Sequence, residues 1–503
     1  MLDRRRFLQA SSLATSSVVA GCTASGASAR HSTPKEASRA ARLGPGTPRR
    51  IIHLVADGMS LGTLSCADQL SLLERKRHLT WINLWSRPDA HTALMDMRSL
   101  DSLVTDSAAA ASSWGSGCRV KNGTVNVSSK GHKLTPLLSL FGQAGWKRGL
   151  VTTTEITHAT PAGFTVSVDS RGEQEKIADQ YLERRVEVLL GGARDHFDPA
   201  KRKDKRDLWA AFAAAGYQVA KTRADLLNAS SDLPLLGTFT GGHLPYTLDH
   251  QRDRTLRETV PTLPEMAAAA LRRLEPHDRF ILQIEAGRVD HACHNNDAAG
   301  ALRDQLTADE TLDLVLDFQG RHPETLVIVT TDHGNANLGL NGMGTSYRDS
   351  SKAFDRVANV RASFPEILKK LKEATTEKAA TAILAETTGY KVDPKKLVQF
   401  LPFLSGKGSA LFDQMNSDVA ALGQLLANHL GVGFVGTTHT SDYVPLIAVG
   451  PGSDRFRGMI RNTDVFTNYT SLAAIDFRNP QEPLLAEVTH AGDAEDTRAY
   501  AHA

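Results

Sequence analysis

The sequence predicts an α/β protein: a three-layer αβα sandwich around a mostly parallel central sheet, with a helical insertion. Two observations predict it. Short runs of branched apolar residues recur along the chain with helix-type segments between them, and one Ala-, Lys- and Leu-rich stretch breaks that alternation. Continuous apolar runs mark strands covered on both faces, the condition of a parallel sheet packed between helices.

The N-terminal residues 1–22 are a different kind of segment. Asp3-Arg4-Arg5-Arg6-Phe7-Leu8 is basic and precedes a mildly apolar stretch at 11–21, so the segment resembles a bacterial twin-arginine export signal. Val19-Ala20-Gly21-Cys22 resembles a lipobox with Cys22 as the lipidated residue; the alternative is a plain cleaved signal with an incidental cysteine. The apolar run falls short of the roughly 20 residues that a membrane span needs. The expectation is an exported protein, periplasmic or at the cell surface, attached to the membrane through lipid on Cys22. Residues 23–48, rich in Ala, Ser, Thr, Gly and Pro, read as a flexible linker.

The main ordered domain is expected over 49–475, with 476–503 as a tail. Its strands are read at 51–55, 148–154, 280–284, 326–330 and 444–449, and helices at 264–274 and 302–318. Residues 350–432 read as helices without a strong strand, an insertion hinged at Met343-Gly344 and Gly431-Val432-Gly433.

Composition narrows the partners. The 58 basic and 56 acidic residues leave a net charge of +2, which argues against nucleic acid, whose binders carry a clustered basic excess. Beyond Cys22, the cysteines Cys66, Cys118 and Cys293 allow at most one disulfide, and none has CxxC spacing. They read as small buried side chains.

In open α/β sheets ligands bind beyond the carboxyl ends of the strands, and the chemistry-bearing residues fall there. Asp57 follows the first strand, 152–160 the second, Glu285 the third and Asp332-His333 the fourth. Any single Asp in such a place is commonly a cap or turn residue; repetition at successive strand ends is harder to explain that way. Asp290 and His294, four apart, share one face of a helical turn and suit one ion, which His439 would complete. Asp332 and His333 suit a second ion, while Glu285 and the Thr160 hydroxyl are oxygen donors suited to magnesium. Val104-Thr105-Asp106-Ser107 ahead of four alanines reads as a helix start. Ser107 then sits where free backbone N–H groups and the helix dipole favour an anion, and a metal ion would activate its hydroxyl.

Taken in order, Val-x-Asp-Gly-Met, Thr-Asp-Ser-Ala, Thr-His-Ala-Thr-Pro-Ala, Glu-x5-Asp-x3-His, Thr-Asp-His and a late His-Thr resemble the alkaline phosphatase family over about residues 50–340 and 433–470. The resemblance implies an alkaline-phosphatase-like fold and hydrolysis of small-molecule phosphate monoesters. It implies that Ser107 is phosphorylated and then dephosphorylated by water. Asp290, His294 and His439 match the ligands of a zinc on the leaving-group side. Asp57, Asp332 and His333 match those of the zinc that activates the serine. Asp57, Thr160 and Glu285 match a third, magnesium-type site, so the implied cofactors are two Zn2+ and one Mg2+. Arg171 matches the arginine that grips two phosphate oxygens, and Asp106, next to Ser107 in sequence, is expected with His158 and His291 to support the site or bind phosphate. His158 stands where the best-known bacterial enzymes carry aspartate, and His291 where they carry lysine. The first substitution bears on the third metal and the second on the pH response of the phosphate site. Homodimers are common in the family.

Other readings remain in view. A sulfatase would carry Pro two residues after its nucleophile, whereas alanines follow Ser107. A phosphodiesterase of the same superfamily, usually with threonine as nucleophile, is one alternative. A catalytically inactive metal- or phosphate-binding lipoprotein is another, although nucleophile and ligands occur together here.

Overall fold

The computed structural model describes residues 46–344 and 346–482; the export signal, Cys22 and most of the 23–48 linker lie outside the described residues. The central sheet is built from β1 (Arg50–Ala56), β2 (Ala90–Asp96), β3 (Lys147–Glu155), β4 (Val188–Gly192), β5 (Gln218–Ala220), β6 (Leu235–Thr238), β7 (Phe280–Ala286) and β8 (Thr325–Thr330). The strands β9 (Gly334–Asn335), β10 (Gly339–Leu340), β11 (Val432–Gly433) and β12 (His439–Thr440) are short and lie outside this sheet, and β13 (Val444–Val449) and β14 (Gly458–Arg461) complete it. Its strand order is β14-β2-β13-β8-β1-β7-β3-β4-β6-β5. Within this sheet β13 runs against both of its neighbours, and the remaining pairings are parallel.

Every residue of β1, β7, β8 and β13 is buried, as strands covered on both sides must be. Alternate side chains enter two separate cores. Ile52, Leu54, Leu282, Ile284, Val327 and Val329 pack with the helices Leu61–Arg75, Leu263–Leu274 and Ala298–Arg321. Ile51, Val55, Ile281, Leu326 and Ile328 point the other way, onto the helices Ser107–Ser116, Leu137–Gln143 and Asn462–Leu472. Helix starts follow from their caps: Ser60 accepts from the Thr63 N–H, and Thr262 with Glu265 forms a capping box.

Helices also fill residues 348–430, and their apolar faces join the first of the two cores through Phe354, Phe364, Ile367, Leu384 and Leu422. The antiparallel pair of β10 with β11 closes the base of this stretch. Two carboxylates tie it to the sheet-bearing body: Asp249 accepts from the Ser363 N–H and Asp297 from the Phe364 N–H, at 2.9 and 2.8 Å. Cys66, Cys118 and Cys293 are all buried free thiols. No helix among the described residues is long and apolar enough to cross a membrane.

Candidate active site

The register of the sheet delivers the acids. Val55 of β1 lies beside Glu285 of β7 and Thr330 of β8, and Thr152 of β3 lies on the far side of Glu285. Asp57, Glu285 and Asp332 therefore emerge at the carboxyl ends of three adjacent parallel strands. The turn after β1 needs Gly58: it has φ of +67°, and a β-carbon there would stand 2.3 Å from an oxygen of Asp290. Its N–H donates to Asp332 Oδ1 at 3.1 Å. Asp290 and His294 share one face of the Arg288–His294 helix, with Asp290 Oδ2 3.3 Å from His294 Nε2.

The late histidine arrives by a separate device. β12 pairs with β9, setting His439 opposite Asn335, and its ring stacks on His333 with centroids 3.6 Å apart. His439 Nε2 lies 3.1 Å from His294 Nε2 and 3.7 Å from Asp290 Oδ1. His333 Nε2 lies 3.2 Å from Asp332 Oδ2 and 3.5 Å from Asp57 Oδ1. The outer ring nitrogens of His439 and His294 reach the carbonyls of Thr105 and Thr437, at 2.9 and 2.6 Å. Such bonds orient imidazoles and leave Nε2 free as a ligand atom.

Ser107 is the first residue of its helix and is almost wholly buried. The cap before it is Asp106, whose Oδ1 accepts from the Ala109 N–H. The Ser107 hydroxyl lies 3.1 Å from His333 Nε2. Arg171 approaches from the other side, donating from Nη1 to Asp106 Oδ2 at 3.1 Å and from Nη2 to His158 Nε2 at 2.9 Å. Thr160 Oγ1 is 3.5 Å from Asp57 Oδ2. Glu285 Oε2 accepts from Thr152 at 2.5 Å and from Thr154 at 3.3 Å. The structure thus gathers Ser107, Asp106, Arg171, Asp57, Thr160, Glu285, Asp290, His294, Asp332, His333, His439, His158 and His291 into one connected cluster.

Three groups have ligand atoms close enough to share an ion: Asp290, His333 and His439; Asp57, Asp332 and His333; and Asp57, His158 and Glu285. The last places His158 at ligand distance, where the sequence motif supplied the Thr160 hydroxyl. The residues fit cations in another respect. Asp57 Oδ1, Glu285 Oε1, Asp332 Oδ2 and His333 Nδ1 are buried and lack a hydrogen-bond partner. Burial and the neighbouring Asp332 push the Asp57 carboxyl well up, and burial pushes Asp332 up to about 7. Against the opposing effect of burial, His294 and His439 hold Asp290 well below the usual range. Buried carboxylates packed this closely call for cations between them.

Several polar residues around the site carry no sequence motif. The His243 ring lies 4.4 Å from that of His291 and 5.7 Å from that of His158. Its Nδ1 accepts from the Glu155 N–H at 3.0 Å, and Arg288 Nη1 reaches His291 Nδ1 at 2.5 Å. Burial and the Arg171 charge hold His158 well below the ordinary imidazole value, and burial with His243 does the same for His291. Arg288 was within reach of sequence reading, since it lies two residues before Asp290 on the same helix; His243, on a loop, had no comparable signal.

Fold and site together define a class: a hydrolytic enzyme of α/β type in which a serine at a helix N-terminus stands among clustered carboxylates and imidazoles. The alkaline phosphatase family model matches residues 48–475, and the chain belongs to that family. It is 30% identical to alkaline phosphatase 4 of Bacillus subtilis over 83% of this chain and 87% of that protein. To alkaline phosphatase 3 of the same organism it is 32% identical, over 73% of this chain and 76% of the other. The crystal structure of Thermus thermophilus alkaline phosphatase superposes with a TM-score of 0.81 at 35% identity, covering 87% of this chain and 93% of that one. These relatives carry the name of phosphoric monoester hydrolases, and the family is metal-dependent.

Proposed function

We propose that this chain hydrolyses phosphate monoesters in two steps through a phosphoserine on Ser107, releasing an alcohol and then inorganic phosphate. The observation that carries the reading is the position of Ser107 at the first turn of a helix, 3.1 Å from His333 Nε2 and at the meeting point of the carboxylate and imidazole clusters. Asp290, His294 and His439 would hold one zinc, and Asp57, Asp332 and His333 a second. Asp57, Glu285 and Thr160 would hold a magnesium-type ion, with His158 offering a nitrogen to that third position. When bound, these ions supply charge that lowers the pKa of the attacking hydroxyl and balances the oxygens of the entering and leaving groups.

The protein's own groups supply the rest. The Ser107 oxygen forms a bond to phosphorus as the ester oxygen leaves, and water later breaks the serine ester. The unpaired N–H groups at the helix start face the anion and need no reorganisation as charge shifts. Arg171, fixed on Asp106 by Nη1, has Nη2 on a neutral His158 nitrogen, which an anionic phosphate oxygen can displace. His294 and His439 are held in orientation by carbonyls, so their ring nitrogens meet a ligand without first ordering.

The Arg4-Arg5 signal supports export to the periplasm or cell surface, and the lipobox at Cys22 supports a lipid anchor. The test of the catalytic reading is turnover of p-nitrophenyl phosphate by the metal-replete protein, with and without chelator, beside Ser107→Ala. Metal-dependent turnover that Ser107→Ala abolishes is expected. Turnover of a bis-ester but not of the monoester would replace this reading with a phosphodiesterase.

A further inference from the structure

A cavity of about 660 Å³ opens beside the site, with His243 and Arg288 in its wall. Both side chains are shared with the phosphate pocket: Arg288 reaches His291, and the His243 ring packs near His291 and His158. The Arg288 guanidinium is steadied over the Tyr246 ring at 3.8 Å. The rest of the wall brings together two remote stretches of chain, Arg252 from one and Arg361 and Lys369 from the helical stretch at 348–430.

Charge in this cavity is unbalanced. Among the described residues, Arg252, Arg288, Arg361 and Lys369 have no carboxylate within ion-pair distance. The wall also carries Asp249, Asp253 and Glu366, the first two bound by the Ser363 and Leu256 N–H groups, so its five Arg and Lys side chains outnumber its carboxylates and leave it net positive. Lys370, also in the wall, is 3.7 Å from Glu386. A pocket of this size that collects unpaired guanidinium and ammonium groups suits a multiply charged anion.

We infer that this cavity binds a second phosphate, carried on the alcohol part of the substrate, so that the enzyme favours bisphosphorylated small molecules. The inference rests on the monoesterase reading above, and it gives the 348–430 helices a part in substrate choice. One phosphate occupies the site at Ser107 and Arg171. The other lies beyond His243, held by Arg288 and Arg252 from one wall and Arg361 and Lys369 from the other.

The metal-replete full chain tests this with fructose 1,6-bisphosphate, p-nitrophenyl phosphate and 2-phosphoglycerate as substrates. In a chain carrying both Arg361→Ala and Lys369→Ala, kcat/KM for the bisphosphate should fall about tenfold relative to that for p-nitrophenyl phosphate, mainly through KM. Arg361→Lys alone should keep most of the preference. An unchanged ratio, or a parallel fall for both substrates, overturns the inference; an equal fall for 2-phosphoglycerate overturns its restriction to phosphate. Should the wild-type chain hydrolyse none of the three, the catalytic reading fails separately. Calorimetric binding of fructose 1,6-bisphosphate against fructose 6-phosphate then decides the cavity. Preference for the bisphosphate in the wild type and its loss in the double variant supports the site, and equal affinities overturn it.

Discussion

Asp106 serves Arg171 and the Ser107–Ser116 helix with one carboxylate. Its Oδ1 accepts from the Ala109 N–H at 2.9 Å, and its Oδ2 accepts from Arg171 at 3.1 Å and from the Gly123 N–H at 3.0 Å. The helix that presents Ser107 and the guanidinium proposed to grip phosphate are therefore held in register by a single side chain.

Asp106→Ala should separate these roles from Asp106→Asn. The alanine variant loses the cap and should be less stable by about 1 kcal/mol. The asparagine variant keeps most of the cap but weakens the charge pairing with Arg171. We expect a lowered thermal midpoint for alanine alone and a changed KM for a phosphate monoester in both. Equal midpoints for all three proteins would contradict the capping role.

The same helix is pressed against its neighbour. A β-carbon on Gly115 would stand 1.9 Å from the Gly163 carbonyl oxygen, in the short helix that carries Thr160. Gly115→Ala must push the two helices apart, at a cost of about 1–3 kcal/mol. Activity should fall with stability, because Ser107 and Thr160 ride on the two displaced elements. Unfolding by urea, followed alongside turnover, checks both; a variant as stable as the wild type would show that the contact relaxes.

Chelation should expose a pH dependence with a definite sign. Burial lifts the folded-state value of Asp332 to about 7 from an unfolded value near 3.8. The protonated carboxyl therefore favours the fold, most strongly below about pH 4, and that contribution is lost as pH rises through 7. Metal-free protein should melt at a lower temperature at pH 8 than at pH 6. Metal-replete protein should show a smaller drop, and Asp332→Asn should flatten the metal-free curve. Equal slopes with and without metal would contradict the assignment of this carboxylate to a cation site.

Asp297 is one of the two carboxylates that fasten the 348–430 helices. It is fully buried and accepts from Phe364 N–H and Gly300 N–H, capping the helix Ala298–Arg321 at the same time. Asp297→Ala leaves a buried N–H without a partner and should cost about 1–3 kcal/mol. Limited proteolysis should then cut the helical stretch faster than in the wild type, before the sheet-bearing body unfolds. An unaltered cleavage rate would mean that the apolar contacts of Phe364 and Ile367 suffice.

The sequence made some of this legible for a definite reason. Asp57, Glu285 and Asp332 could be read because each comes at the end of a run dominated by apolar residues, broken only by His53 in β1 and Gln283 in β7, and such a run buried on both faces announces itself without alternation. The helix start at Ser107 was equally plain: Asp106 is the cap and Ser107 the first helical residue. The strands β4, β5 and β6 were not read: they are three to five residues long, too short for a pattern. Nor does an apolar run state its direction, and β13 runs opposite to β8. His243 and Glu155 escaped because only tertiary packing joins a loop at 243 to the end of β3. The location of His158 at ligand distance from Asp57 and Glu285 likewise depends on how a turn after β3 folds back.

The place of β1 at the centre of the sheet has a consequence for synthesis on the ribosome. Its hydrogen-bonding neighbours are β7 and β8, which begin at Phe280 and Thr325. At a translation rate of about 5–20 residues per second, the strand Arg50–Ala56 waits on the order of ten seconds or more for its first partner. During that interval a largely apolar segment with both edges open is available to other nascent chains. Production of this protein should therefore depend on holdase chaperones more than its final stability would suggest, and slowed elongation before residue 280 should raise the aggregated fraction.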